Sequence, residues 1–171
     1  MQWADFRRLP RPPRTLAEKI ASVVTLYPCD LLFVHRDADT QPHAARVREI
    51  RDELAVSAAQ PAVCVVPVRA TEAWLLIDEA ALRRAAGNPR GRAPLEMPSL
   101  LTLETLPDPK GSLYALLRGA SGLPPRRQPH PPERIHRLAD LIEDFSPLRR
   151  LSAFRALERE VLALLEEQSW T

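Results

Sequence analysis

Two acids close an apolar run in this chain. The segment Asp30-Leu31-Leu32-Phe33-Val34-His35-Arg36-Asp37-Ala38-Asp39 is nearly all aliphatic or aromatic before it turns acidic. A short apolar run bounded by polar breakers reads as a buried parallel strand. Residues i and i+2 of a strand lie on one face, ~6.6 Å apart, so Asp37 and Asp39 should leave the C-terminal end of a sheet side by side. In open α/β sheets that end is where ligands bind. Paired carboxylates there repel each other, and a hard cation such as Mg²⁺, which takes oxygen ligands, relieves the repulsion. The plainer alternative is a helix-capping Asp beside a solvated loop Asp.

Two further residues join this pair. Glu72 lies four residues beyond a second apolar run, Ala62 to Val68. If the two runs are parallel strands, Glu72 shares a rim with Asp37 and Asp39. Three carboxylates from separate loops could position one or two metals, activate a water and stabilise charge on a phosphate. Glu72 could equally be a first-turn helix acid favoured by the macrodipole. Lys110, in Asp108-Pro109-Lys110-Gly111, sits between a turn and a helix. It could meet a phosphate oxygen as a point charge or stay a solvated turn lysine. His35 reads as a partly buried strand residue, and Arg36 and Arg69 could touch a nucleic-acid backbone.

The elements that must position these residues follow from local signals. Thr15-Leu16-Ala17-Glu18 is a capping box opening a helix to about Tyr27. The first secure strand is Asp30 to Arg36, a helix runs from about Pro42 to Ala59, and Ala62 to Val68 is the second strand, with Pro67 marking its end or an edge. Strand, five-turn helix and strand make a βαβ unit with parallel strands. Helix resumes at Thr71 and again from Asp78 to Ala86, stopped by Gly87; Asn88 to Pro98 is irregular. Gly111 to Leu117 and Glu133 to Asp144 read as helices around a basic, Pro-rich loop. Ser146-Pro147 reads as an N-cap with proline at the first helical position, opening one long helix to about Gln168. Its stripe of Leu148, Leu151, Phe154, Leu157, Val161, Leu164 and Leu165 is packing, not chemistry. Trp3 to Leu9 could be a further strand, stopped by Pro10, Pro12 and Pro13. Sheets in such folds usually have four or more strands. Either the helices compensate here, or an N-terminal strand is missing upstream of Met1.

Composition narrows the class. With 171 residues, 45 % apolar and 27 % charged, the chain is long enough for one α/β domain with a real core. No run approaches the ~18 apolar residues of a membrane span, and the start has no signal-peptide shape. Cys29 and Cys64 read as reduced core thiols, so cytoplasm is the expected setting. A net charge of +2 exerts no global pull on nucleic acid. All but Lys19 and Lys110 of the 24 basic residues are Arg, and there are 18 Pro. That bias points to a high-GC genome and makes Arg clusters weak evidence of phosphate binding. Only 5 Gly disfavour Walker-type and dinucleotide loops, and the histidines and cysteines show no zinc spacing.

The strand ending in Arg36-Asp37-Ala38-Asp39, the helix, the second strand leading into Thr71-Glu72-Ala73-Trp74-Leu75-Leu76, and the later Asp-Pro-Lys together resemble a Toprim-like family of uncharacterised bacterial proteins. Its members are similar to the Toprim nuclease domain of OLD-family proteins and often accompany an ABC/SMC-type ATPase. The resemblance spans roughly Leu31 to Leu117, with weaker similarity toward Leu151–Leu157. It implies a small Toprim-like parallel sheet flanked by helices over residues 1–118. A Pro/Arg-rich loop would follow at 119–132, then a helical extension at 133–171 packed on the same domain. It also implies Mg²⁺- or Mn²⁺-dependent phosphodiester cleavage, with Asp37, Asp39 and Glu72 as metal ligands and Lys110 beside them. The implied partners are DNA or another nucleic acid, an ATPase in phage or plasmid defence, and a second copy of the chain, with no membrane. Toprim domains also carry a glutamate after their first strand. Before Asp30 this chain has only Asp5 and Glu18, which fits an N-terminally shortened form. Two rivals follow: a non-catalytic binding module with a degenerate site, and a phosphotransferase of the Asp-x-Asp type. The latter wants Thr or Val two residues after the second Asp, where this chain has Gln41.

Overall fold

The computed structural model describes residues 2–7, 9–57, 60–128 and 130–170. It is a mixed α/β protein with a small two-stranded parallel sheet, six α-helices and four 3-10 helices among the described residues. The chain divides into two compact units. One is drawn from residues 1–36, 41–66 and 157–171, the other from 37–40 and 67–156.

In the first unit, α1 (Leu16–Leu26) begins with the capping box: Glu18 N–H donates to Thr15 Oγ1 at 3.1 Å, and Thr15 N–H donates to Glu18 Oε2 at 3.0 Å. Two donors at the helix start are satisfied reciprocally. β1 (Leu32–His35) and β2 (Ala62–Val65) pair in parallel, from Leu32↔Ala62 to His35↔Val65. Between them runs α2 (His43–Ser57), which buries Ile50 and Leu54; Ala58 and Ala59, the end of the expected helix, lie outside the described residues. Val34, Val63 and Cys64 complete the core. β2 stops short of the expected Val68 because Pro67 has no N–H to continue a ladder.

The outer edge of β2 is closed by side chains. Arg51 Nη1, on α2, donates to the Ala62 carbonyl oxygen at 3.1 Å, and Cys64 N–H donates to Glu160 Oε1 at 2.7 Å. Arg51 and Glu160 are themselves ion-paired. One guanidinium and one carboxylate thus supply the donor and acceptor that a third strand would otherwise provide.

No strand forms in the described part of Trp3–Leu9; Arg8 lies outside the described residues. Instead Asp5 takes both Arg7 Nε and Nη2, at 2.9 and 3.0 Å, and Leu9 N–H turns back onto the Phe6 carbonyl at 3.1 Å. Local hydrogen bonding of this kind competes with extended pairing.

The second unit is helical. The segment from Thr71 is a 3-10 helix, Thr71–Leu75, that buries Ala73, Trp74 and Leu75. Asp78 caps α3 (Glu79–Ala85), accepting from Ala81 N–H at 2.8 Å, and Gly87 ends it with φ +83°. The irregular stretch after it is held by the buried Arg83, whose Nη2 donates to the Ala93 carbonyl at 2.7 Å. A 3-10 helix, Leu100–Thr105, went unanticipated. α4 runs Pro109–Ser121 and so begins earlier and ends later than expected. The basic loop holds a 3-10 turn, Pro125–Arg127, with Pro129 outside the described residues. α5 spans Pro131–Leu141.

The long C-terminal helix is two elements. Ser146 is not an N-cap but the first residue of a 3-10 helix, Ser146–Arg150. Its N–H and hydroxyl donate to Asp144 at 2.8 and 2.9 Å. Leu151 then goes extended (φ −90°, ψ 139°) before α6 (Ser152–Glu167) starts. Leu82, Leu103, Leu113, Leu117, Leu138 and Leu148 form this unit's core. Phe154 meets Trp74 edge-to-face, ring centroids 5.4 Å apart. Among the described residues no helix is long and apolar enough to cross a membrane.

Candidate functional site

An open cleft of about 380 Å³ lies within the second unit. Three short segments line it: Asp37, Asp39 and Thr40; Arg69, Ala70 and Glu72; and Pro107 to Lys110. All four residues singled out by type and spacing, Asp37, Asp39, Glu72 and Lys110, are therefore on one wall system, although they are separated by up to about seventy positions in sequence.

Each acid is positioned by its backbone. Asp37 Oδ1 accepts from Thr71 N–H at 3.1 Å and from the Thr71 hydroxyl at 3.3 Å. Ala38, fully buried, donates its N–H to the Pro67 carbonyl at 2.9 Å. Asp39 takes left-handed backbone with φ +55°, a conformation open to Asp at modest cost because its short side chain can bond locally. Its carbonyl accepts from Arg69 Nη1 at 3.4 Å. Residues 37–39 are thus tied at three successive points to the segment 67–71. Glu72 stands on the first turn of the 3-10 helix whose next three residues are buried, so the apolar face fixes the element and leaves the carboxylate at the cleft.

The third segment is a helix start. Asp108 caps α4: its Oδ1 accepts from Gly111 N–H at 2.8 Å, and Pro109 takes the first helical position. The capping carboxylate folds so closely over Gly111 that a Cβ there would lie 2.0 Å from Asp108 Oδ2. Lys110 is exposed, with Nζ 5.8 Å from the centroid of the Tyr114 ring.

Sequence reasoning did not find Thr71, the partner of Asp37, nor the capping role of Asp108. The Asp-Pro pair is a readable start signal; the Thr71 contact depends on two chain segments meeting and leaves no local trace. The remaining candidates lie elsewhere. Arg36 is paired with Glu49, which also takes the buried Arg46. His35 is exposed on β1. Asp5 is held by Arg7 and Glu18 by the α1 cap, so both upstream acids are engaged locally. Cys29 and Cys64 are free thiols, Cys64 buried and Cys29 half-buried.

The acceptor side chains on the wall are oxygen groups, the carboxylates of Asp37, Asp39, Glu72 and Asp108 and the Thr40 hydroxyl, the donor type that hard cations take. As the side chains stand, no three His, Cys, Asp or Glu residues among those described are grouped closely enough to hold an ion together. Comparison with protein-family models, curated proteins and solved structures finds no match.

Proposed function

We propose that this chain is a Toprim-like nuclease subunit that cleaves nucleic-acid phosphodiesters with Mg²⁺ or Mn²⁺. In this proposal it works alongside an ABC/SMC-type ATPase in phage or plasmid defence. The observation that carries the reading is the cleft itself: Asp37, Asp39, Glu72 and Lys110 reach it from three separate segments. Asp37, Asp39 and Glu72 would hold the cation through carboxylate oxygens. When bound, a divalent cation supplies an activated water and stabilises charge on the reacting phosphate. Thr71 keeps Asp37 oriented through two hydrogen bonds, and Lys110 offers a mobile positive charge to a phosphate oxygen.

The grouping of fewer than three ligands and the local engagement of Asp5 and Glu18 favour a second reading, a binding module on nucleic acid or an ATPase that does not cut. Supercoiled plasmid incubated with the purified full chain separates the two. Nuclease activity predicts nicking that requires Mg²⁺ or Mn²⁺ and falls about 100-fold or more in Asp37→Asn and Asp39→Asn. Nicking at an unchanged rate in both variants would overturn the proposal. Retained DNA without nicking would leave the binding module.

A further inference from the structure

Two stretches of this chain contain no acid. The whole sequence carries 24 basic and 22 acidic residues, yet neither 80–95 nor 109–132 holds an Asp or Glu. Arg90 and Arg92 lie in the first stretch, Arg118, Arg126 and Arg127 in the second, and all five are exposed. A high-GC genome accounts for Arg in place of Lys. It does not account for the missing acids.

The fold brings the two stretches together. Asn88 Nδ2 donates to the Ala120 carbonyl at 3.0 Å, so the loop that carries Arg90 and Arg92 sits against the C-terminal end of α4, two residues from Arg118. The chain then turns at Gly122, left-handed with φ +65°, into the 3-10 turn that carries Arg126 and Arg127. That turn is stiff. Pro124 and Pro125 fix their own φ, Arg127 N–H donates to the Pro124 carbonyl at 2.8 Å, and Gln128 Nε2 donates to the Leu123 carbonyl at 3.1 Å. Among the described residues none of the five arginines forms an ion pair. Cations gathered with no acids between them repel one another, and a polyanion relieves that repulsion. A lipid surface fits less well: a lipid-facing patch needs several apolar anchors, and among the described residues Leu123 is the one large apolar side chain exposed on these stretches. Guanidinium forks match phosphate oxygens.

We propose that this face, at the C-terminal end of α4, is a docking surface for a nucleic-acid duplex held through its phosphates. α4 starts at the cleft, where Asp108, Pro109 and Lys110 line the wall. Its 13 residues span ~20 Å, about six base pairs of duplex, so a duplex lying along the helix reaches both ends. The inference deepens the nuclease reading and rests on it for the choice of nucleic acid among polyanions, yet its claim is about binding and needs no cleavage.

The test is fluorescence anisotropy of a labelled duplex of about 20 base pairs, titrated with the full chain in the presence of a chelator. Wild type should bind with an affinity that falls steeply with salt. Arg126→Gln with Arg127→Gln, and Arg90→Gln with Arg92→Gln, should each weaken binding about fivefold or more and flatten the salt slope by about two. Arg126→Lys with Arg127→Lys keeps the charge and should restore most of the affinity, a rescue that a purely structural role of these arginines would not show. Arg11→Gln with Arg14→Gln, which removes two exposed arginines outside this face, should change binding by less than about twofold. No duplex binding by the wild type, unchanged affinity in both double variants of the face, or an equal loss from the Arg11 and Arg14 variant would overturn the inference. So would anionic vesicles or polyglutamate binding as tightly as the duplex. Binding that depends on these arginines without nicking would support this inference and remove the nuclease reading. Metal-dependent nicking with affinity unchanged in both double variants of the face would remove this inference alone.

Discussion

Thr71 orients one of the two cleft acids that follow β1, Asp37. Its N–H and hydroxyl both donate to Oδ1 of Asp37, which ties that carboxylate to the start of the 3-10 helix Thr71–Leu75. Thr71→Val keeps the shape and removes the hydroxyl. On the proposed nuclease reading it should lower Mg²⁺-dependent nicking by about tenfold, the usual effect of losing a partner of a metal ligand, and leave thermal stability nearly unchanged; an unaltered rate would show that Asp37 needs no such support. Gly111 is the second telling residue. With Asp108 Oδ2 in the space a Cβ would take, Gly111→Ala must displace the cap of α4 and should cost about 1–2 kcal/mol in urea denaturation, the range of a lost N-cap. Asp108→Ala should cost a similar amount, and the double variant little more, because both remove one interaction. At this scale the sequence was readable in residue type and not in the expected geometry. Asp37 and Asp39 do not share a strand face as expected: β1 ends at His35 and Asp39 is left-handed, so it is the loop beyond the strand, not strand periodicity, that carries both acids to the cleft with Glu72 and Lys110. Thr71 escaped because its partner is fixed by the fold and not by any neighbour in the chain.

Among the elements, the edge of β2 shows how a two-stranded sheet is kept intact. Removing Glu160 leaves the buried Cys64 N–H without its acceptor and Arg51 without its ion pair. Glu160→Ala should therefore destabilise by about 1–3 kcal/mol, the cost of an unsatisfied buried donor. Glu160→Gln, which keeps an acceptor oxygen, should lose less. Equal stability of Glu160→Ala and wild type in denaturant would contradict the assignment. Elements with a local signature were legible: the α1 capping box and Gly87 are found where pattern places them, and both apolar strands form but are shorter than expected, Leu32–His35 and Ala62–Val65. The Ser/Asp-Pro start signal was read at Ser146-Pro147, where the chain makes a 3-10 turn, and missed at Asp108-Pro109, where it opens α4. The break at Leu151 was invisible for a related reason. Leu148 and Leu151 are both buried, so the apolar spacing continues across a change of backbone that only ψ reveals.

For the molecule as a whole, titration sets the limits of stability. Arg7, hydrogen-bonded to Asp5, holds that carboxyl down at about 2. The backbone N–H groups of Thr15 and Arg14 lower Glu18, and that of Ser146 lowers Asp144. Groups whose folded pKa is depressed contribute stability above the ordinary carboxylate range and lose it as pH falls through the folded value. Acid should therefore loosen these three places progressively toward pH 2. Burial, with Glu160 nearby, pushes the Cys64 thiol up from 9.0 to about 11. An acid raised in this way contributes stability below pH 9 that is lost as pH climbs from about 9 to about 11. Thermal melts should be flat near neutrality and decline over that alkaline window, with Cys64→Ala declining less; a melting temperature that rises from pH 9 to 11 would contradict the burial of Cys64.

The central claim is that Asp37, Asp39 and Glu72 serve one divalent cation. Mn²⁺ titration of the full chain, followed by electron paramagnetic resonance of the free ion, measures this without requiring turnover. A saturable site is expected in the wild type, weakened about tenfold or more by Asp37→Asn, Asp39→Asn or Glu72→Gln and untouched by Asp5→Asn. Binding of the same strength in all five proteins would contradict it.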